Sequence, residues 1–234
     1  MFKNLFCYYT ILIVTGLSAQ TTPKRFQFGV NYSADYAFRT LKNNDGGPFA
    51  QMVIDLRDDS EKAKYGFTTG LNVLFTVNNH LEIGAGVQYS NKGYQIPHIE
   101  VDGIMPQVYQ DGRVISSLNY IDVPLKANFI LGSGKLRGLV GAGIVANFLV
   151  SSTLRTVYKA ANGDEAYGKY TNSADYERFN LSPMVSAGVD YQLNDRVHVR
   201  LEPTFRYGIL KTVDAPVTMY VWNPGLNASC YFSL

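Results

Sequence analysis

Charged side chains recur two residues apart in one stretch of the chain: Arg196, His198, Arg200, Glu202 and Arg206, with Thr204 completing the row. Alternate residues of an extended strand share a face. This spacing puts the charged set on one side and Val197, Val199, Leu201, Pro203, Phe205 and Tyr207 on the other. Asp35, Glu82, Asp122, Lys126 and Asp190 lie on the polar faces of their own segments. Such a set has two uses: a neutral, ion-paired filling that offsets lost hydration, or a proton or ion path along Lys126, Arg200 and Glu202. The histidines offer less. His80 falls in a turn, His98 in a link and His198 on the charged face, whereas a hydrolase needs Ser, His and an acid together. The spacing of Cys and His contains no metal-site pattern. Gly84/Gly86 and Gly141/Gly143 lie mid-strand with no following helix, so they relieve crowding rather than cradle phosphate. No catalytic, cofactor-binding or metal-ligating residue is expected.

The elements that would carry these residues are strands. Period-two alternation runs through about eight segments, near 26–38, 66–77, 81–89, 120–131, 136–149, 179–193, 196–207 and 217–233. Each suffices to cross a bilayer at a tilt, which takes about 9–11 residues. Asn78-Asn79, Gly132-Ser133-Gly134-Lys135 and Asn194-Asp195 read as tight hairpin turns. Longer polar links fall between them near 39–65, 90–118, 150–178 and 208–216. Short turns on one side and long loops on the other is the layout of an outer-membrane barrel. Placed on alternating strands, the apolar-face aromatics gather at two heights. Phe26, Phe28, Phe75, Phe129, Tyr191 and Phe232 fall near the short turns; Tyr36, Phe67, Tyr89, Phe148, Phe179, Tyr207, Tyr220 and Trp222 fall near the long links. Two aromatic girdles around an aliphatic band are what a bilayer selects.

Composition agrees. The chain has 17 Tyr, 13 Phe and 21 Gly among 234 residues, yet only 17% are charged and the net charge is +2, which does not point to nucleic acid. After the leader no apolar run reaches the ~18 residues of a helical span. Lys3, the apolar stretch Leu5 to Leu17 and the small Ala19 read as a signal peptide over 1–19, leaving 20–234 as one barrel domain. Removal of Cys7 would leave Cys230 alone, so no disulfide is expected within the chain. A soluble lipocalin-like carrier would put apolar residues inside and polar ones outside; the ions on one face and aromatic belts on the other argue against it. Pro124, Pro183, Pro203 and Pro224 fall inside these segments, where bulges or strand ends are expected.

Leu118-Asn119-Tyr120-Ile121-Asp122-Val123-Pro124-Leu125-Lys126 resembles the proline-containing strand of the PorT-like small outer-membrane β-barrel proteins, and Leu139–Gly143 and Val185–Tyr191 resemble the strands that follow it. The resemblance implies an all-β, antiparallel, up-and-down transmembrane barrel in the bacterial outer membrane, and a place beside a protein secretion machine. The links are the other candidate site. Asp55, Asp58, Asp59 and Glu61, interspersed with Arg57, Lys62 and Lys64, suit a divalent cation, lipopolysaccharide or solvent. Tyr158, Tyr167, Tyr170 and Tyr176 suit recognition of a surface protein or glycan, or rest on the barrel rim. The functional expectation is a non-enzymatic barrel, in contact with outer-membrane lipid and lipopolysaccharide, that binds at the surface or maintains the envelope.

Overall fold

The computed structural model describes residues 25–99, 109–160 and 162–233. The leader expected over 1–19 lies outside them. The chain forms strands β1 (Phe26–Asn43), β2 (Lys62–Thr76), β3 (Leu81–Ile99), β4 (Tyr109–Leu131), β5 (Leu136–Ala160), β6 (Glu165–Thr171), β7 (Phe179–Gln192), β8 (Val197–Tyr207) and β9 (Val217–Ser233), with helix α1 (Pro48–Ser60) between β1 and β2. All pairings are antiparallel. β1 pairs with β9 and β4 with β5, so eight strands close a ring. β6 stands outside it, paired with the upper part of β5.

The turns form where their residue types predict. Asn78 Oδ1 accepts from the backbone N–H of His80 and Leu81, each at 2.9 Å. Asn194 Oδ1 does the same for Arg196 and Val197, each at 2.9 Å. Gly132 and Gly134 turn the third hairpin at φ +86° and +107°, a region that costs other residues strain.

Alternation decides which face meets what. Val30, Leu71, Val87, Leu125, Val185 and Leu201 point outward and are 46–67% exposed. A contiguous apolar band of that extent is untenable in water. Aromatic neighbours edge it, Phe26 against Phe75 at 5.0 Å below, and Tyr36 against Tyr65 at 5.6 Å and Phe148 against Phe179 at 5.4 Å above. Phe26 to Tyr36 spans about 25 Å of height at the usual strand rise and tilt. Apolar outside and charged inside reverses the arrangement a soluble carrier needs.

Two expectations are corrected. The links near 39–65, 90–118 and 150–178 are largely ordered: β1, β3, β4 and β5 run well past the upper girdle, and α1 and β6 fill much of the rest. Polar composition marks what the side chains face, not whether the backbone is paired. Pro124, Pro183, Pro203 and Pro224, second, introduce no register shift, whereas the β3–β4 pairing does shift across Pro97, between Ile96/Val114 and Ile99/Gly112. Pairing of β3 with β4 skips from Ala85/Leu125 to Gln88/Asp122 beside Pro124, and that of β7 with β8 from Ser186/Thr204 to Val189/Leu201 beside Pro203. β1 with β9 skips from Asp35/Gly225 to Phe38/Trp222 beside Pro224. Each gap keeps its register, because proline lacks only its own N–H and the rungs on either side hold. Pro183 lies just beyond the last β7–β8 rung, Met184/Arg206. The bulge near this region falls elsewhere, where Asn119 pairs Ser151 and Tyr120 pairs Leu149.

Candidate functional site

The barrel interior is a stack of ion pairs. At the short-turn end, Asp190 Oδ1 accepts from Arg200 Nε at 2.7 Å and lies 2.5 Å from His198 Nδ1, while Arg137 binds Oδ2. Arg200 Nη2 reaches Glu82 Oε2 at 2.5 Å, and the guanidinium lies 5.1 Å over the Tyr231 ring. The other imidazole nitrogen of His198 is 2.6 Å from Gln27 Oε1. One step higher, Lys126 pairs with Glu202, which also accepts from Ser186 Oγ at 3.2 Å. An amide chain crosses the same level: Gln88 donates to Asn72, Asn72 to Asn31 and Asn31 to Asn227, at 2.8, 2.8 and 2.9 Å.

Above that, Asp35 accepts from Ser33 at 2.6 Å and Thr68 at 2.5 Å, with Arg206 Nη1 3.4 Å away. Asp122 follows, 3.1 Å from Lys92 Nζ and accepting from Asn147 at 2.6 Å. Glycine makes room for these groups. A Cβ on Gly141 would lie 2.3 Å from Lys126 Cε, and one on Gly225 2.0 Å from Asp35 Oδ1. A cavity of about 50 Å³ remains at mid-height, lined by Asn72, Lys126, Glu202 and Arg206 among others. It would hold a few waters and no solute.

The upper mouth is shut differently. α1 starts with Pro48 in its first turn after Gly47 and buries Ala50 and Ile54, the position where proline's missing N–H costs nothing. Ile54 packs with Leu41, Leu118, Tyr120, Met219 and Val221 in an apolar cap, against which Tyr94, Leu149 and Tyr176 also rest. Arg39 joins the helix end to the barrel wall, binding Asp58 and, at 2.7 Å, Glu61. Glu61 Oε1 also lies 2.6 Å from Arg57 Nε. Burial disfavours the Arg57 charge, but Glu61 overrides it and the guanidinium pKa is raised. Lys64, one residue above Tyr65, donates to Asn91 at 2.5 Å and Ser117 at 3.1 Å; burial lowers its pKa to about 8.

The structure therefore brings Glu82, Asp190, His198 and Arg200 into one cluster, pairs Lys126 with Glu202, and leaves Asp122 and Arg206 in separate levels. Arg196, expected inside, is exposed in its turn. Lys92 and Arg137, with Arg39 at the upper mouth, are inward cations that sequence reading missed. Arg137 was recoverable, since it alternates with outward Leu136 and Val140; Lys92 lay in a stretch read as a link. The acids near 55–61 do not cluster, because Glu61 is buried and Asp58 is taken by Arg39. Of the tyrosines, Tyr167 and Tyr170 are 59% and 63% exposed, Tyr158 is half-buried, and Tyr176 rests on the apolar cap. Tyr167 donates to Glu165, which raises its pKa, and Arg155 lies 5.0 Å over its ring. His98 pairs with Asp111 at 2.9 Å, both at the surface.

Several solved outer-membrane barrels are similar to this chain. Neisserial surface protein A is 14% identical, with a TM-score of 0.46 over 89% of this chain and 97% of that one. OprG of Pseudomonas aeruginosa is 13% identical, TM-score 0.46, over 89% and 96%. Ail of Yersinia pestis is 12% identical, TM-score 0.36, over 88% and 97%. No curated protein sequence matches the chain. The model of one family matches residues 18–212, and the chain belongs to it: the outer membrane protein beta-barrel domain family, proteins of the bacterial outer membrane.

Proposed function

We propose that this protein is a non-conducting, non-enzymatic barrel that serves the cell surface, binding an envelope or surface component through the sheet and hairpin above its upper girdle. The closed lumen carries this reading. Four levels of paired charge and an apolar helical cap leave no path for a solute, so the parts that can act on another molecule are those outside. Exposed Tyr167 and Tyr170 on the β5–β6 hairpin supply contact area of low conformational entropy. A role beside a secretion machine has only the PorT-like resemblance behind it.

Purified protein in planar bilayers should give no current above the lipid background; stable ion-conducting steps would overturn the closed-barrel reading. On intact cells, a photo-crosslinker at Tyr170 should yield adducts that one at Lys135, in the opposite turn, does not. Equal labelling at both positions would refute surface binding through the hairpin.

A further inference from the structure

Above the girdle the outward face of the barrel wall changes from apolar to basic. On β4 the outward row runs from Phe129 through Ile121 and Ile115 to Arg113; β5 and β6 continue it sideways. Ile115 pairs Arg155, which pairs Lys169; Arg113 pairs Val157, which pairs Tyr167; Asp111 pairs Lys159, which pairs Glu165. Directly paired residues have Cβ atoms about 5 Å apart, and diagonal ones about 7–8 Å. Arg113, Arg155 and Lys169 thus form one cationic patch around the Tyr167 ring, with Lys159 at its edge.

None of these four cations has a described carboxylate within 4.0 Å, whereas the cations at the four luminal levels are paired. Arg155 and Lys169 are moreover direct cross-strand partners. Like charges in that position destabilise a sheet, and the two acids on this face are engaged elsewhere, Glu165 by the Tyr167 hydroxyl and Asp111 by His98, so the Arg155–Lys169 pair has room for an anion. Height and direction say which. Arg155 pairs six residues beyond the rung that joins Ile121 to Phe148 of the girdle, about 20 Å along the strand and roughly 15 Å higher. The face looks sideways over the bilayer, not up into the medium. What stands at that height beside an outer-membrane barrel is the sugar region of the outer-leaflet lipid.

We propose that Arg113, Arg155 and Lys169, with the Tyr167 ring as a stacking platform, hold a phosphorylated sugar of the lipopolysaccharide surrounding the barrel. This names the ligand class for the surface-binding reading and rests on it. Arginine suits phosphate through paired N–H donors, and an aromatic face suits a sugar ring. The contact would also neutralise the Arg155–Lys169 repulsion, so the hairpin is held down by the membrane's own lipid.

The test uses the full-length barrel in nanodiscs without lipopolysaccharide, titrated with lipopolysaccharide purified from the producing cells or with the same material after phosphatase treatment. Phosphorylated material should raise the thermal midpoint of wild type, and dephosphorylated material should bind about tenfold or more weakly, as loss of a charge-assisted contact implies. A double Arg155→Ser/Lys169→Ser variant should lose the response, while Lys135→Ser/Arg196→Ser, the same charge change in the opposite turns, keeps it. Without lipopolysaccharide, Lys169→Ser alone should raise the midpoint by removing the like-charge pair while leaving Arg155 on the Tyr167 ring. Equal binding with and without phosphate overturns the proposal, and needs no variant to fold. That result leaves the broader surface-binding reading intact, which stands or falls on conductance and crosslinking.

Discussion

Arg200 lies between Glu82 and Asp190, at 2.5 and 2.7 Å, and is 2% exposed. Its removal strands two buried carboxylates rather than deleting one interaction. Arg200→Met should destabilise the barrel by about 3–5 kcal/mol, the usual cost of breaking a buried pair from one side. The heat-induced mobility shift on a denaturing gel reads this directly: the variant should unfold at a clearly lower temperature, and an unchanged transition would show that the lumen rearranges around the loss. Lys64 makes a prediction with a pH axis. Its folded pKa, about 8, is below the ~10.4 of an unfolded lysine. Between those values the unfolded chain binds more protons, so stability rises with pH across that window and is flat in this group below it. Other groups titrate there too, hence the relevant quantity is the difference from Lys64→Met. Wild type should gain stability relative to that variant from pH 8 to 10, and parallel curves would contradict the burial argument.

At the scale of elements, α1 is held by one apolar face and one arginine. Its outward residues Phe49, Met52 and Leu56 are 51–71% exposed, while Ile54 is 7% exposed within the cap. Ile54→Asp would place an unpaired carboxylate in that cap, a loss of at least the ~2–4 kcal/mol typical of large-to-small changes at such sites. The helix should then open locally without unfolding the membrane-spanning strands. Trypsin added outside should cleave after Arg57 tens of times faster, with the heat shift of the barrel intact. Unaltered cleavage would mean that Arg39 and its two carboxylates anchor the helix unaided. The strands themselves tolerate local defects for a related reason. Each of Pro124, Pro203 and Pro224 removes one donor from one ladder, and the long ladders on either side preserve the register.

For the whole molecule, the legible part was whatever depends on near neighbours in the chain. Alternation in Val197–Tyr207 and Tyr120–Leu131 assigned faces correctly, failing only at Arg196 in its turn, and the heights of aromatics such as Phe26 and Tyr36 marked two girdles. The Asn- and Gly-bearing turns were equally plain. Less was visible where polar residues lie on both sides of a strand. β4 and β5 continue through Ser116–Ser117 and Ser151–Thr153 because each supplies the other's backbone partners, although nothing there alternates clearly. α1 was hidden in the same way, its Ala50 and Ile54 spaced as a helix face but set in a segment dense with acids.

The candidate site divides along the same line. That Glu82, Asp190, Arg200 and Glu202 face inward follows from the sequence alone, since period two and an apolar opposite face leave them no other side. Which acid meets which base does not follow. Asp190 and Glu82 reach Arg200 from different walls of the ring, and Arg155 meets Lys169 only once β6 folds back on β5. Local alternation determined the faces, the girdles and hence the membrane, because a strand's side-chain period is a property of its own backbone. Partners, strand length and the closed mouth were decided by tertiary structure, because each depends on the register between strands distant in the chain, which barrel closure sets for the molecule as a whole.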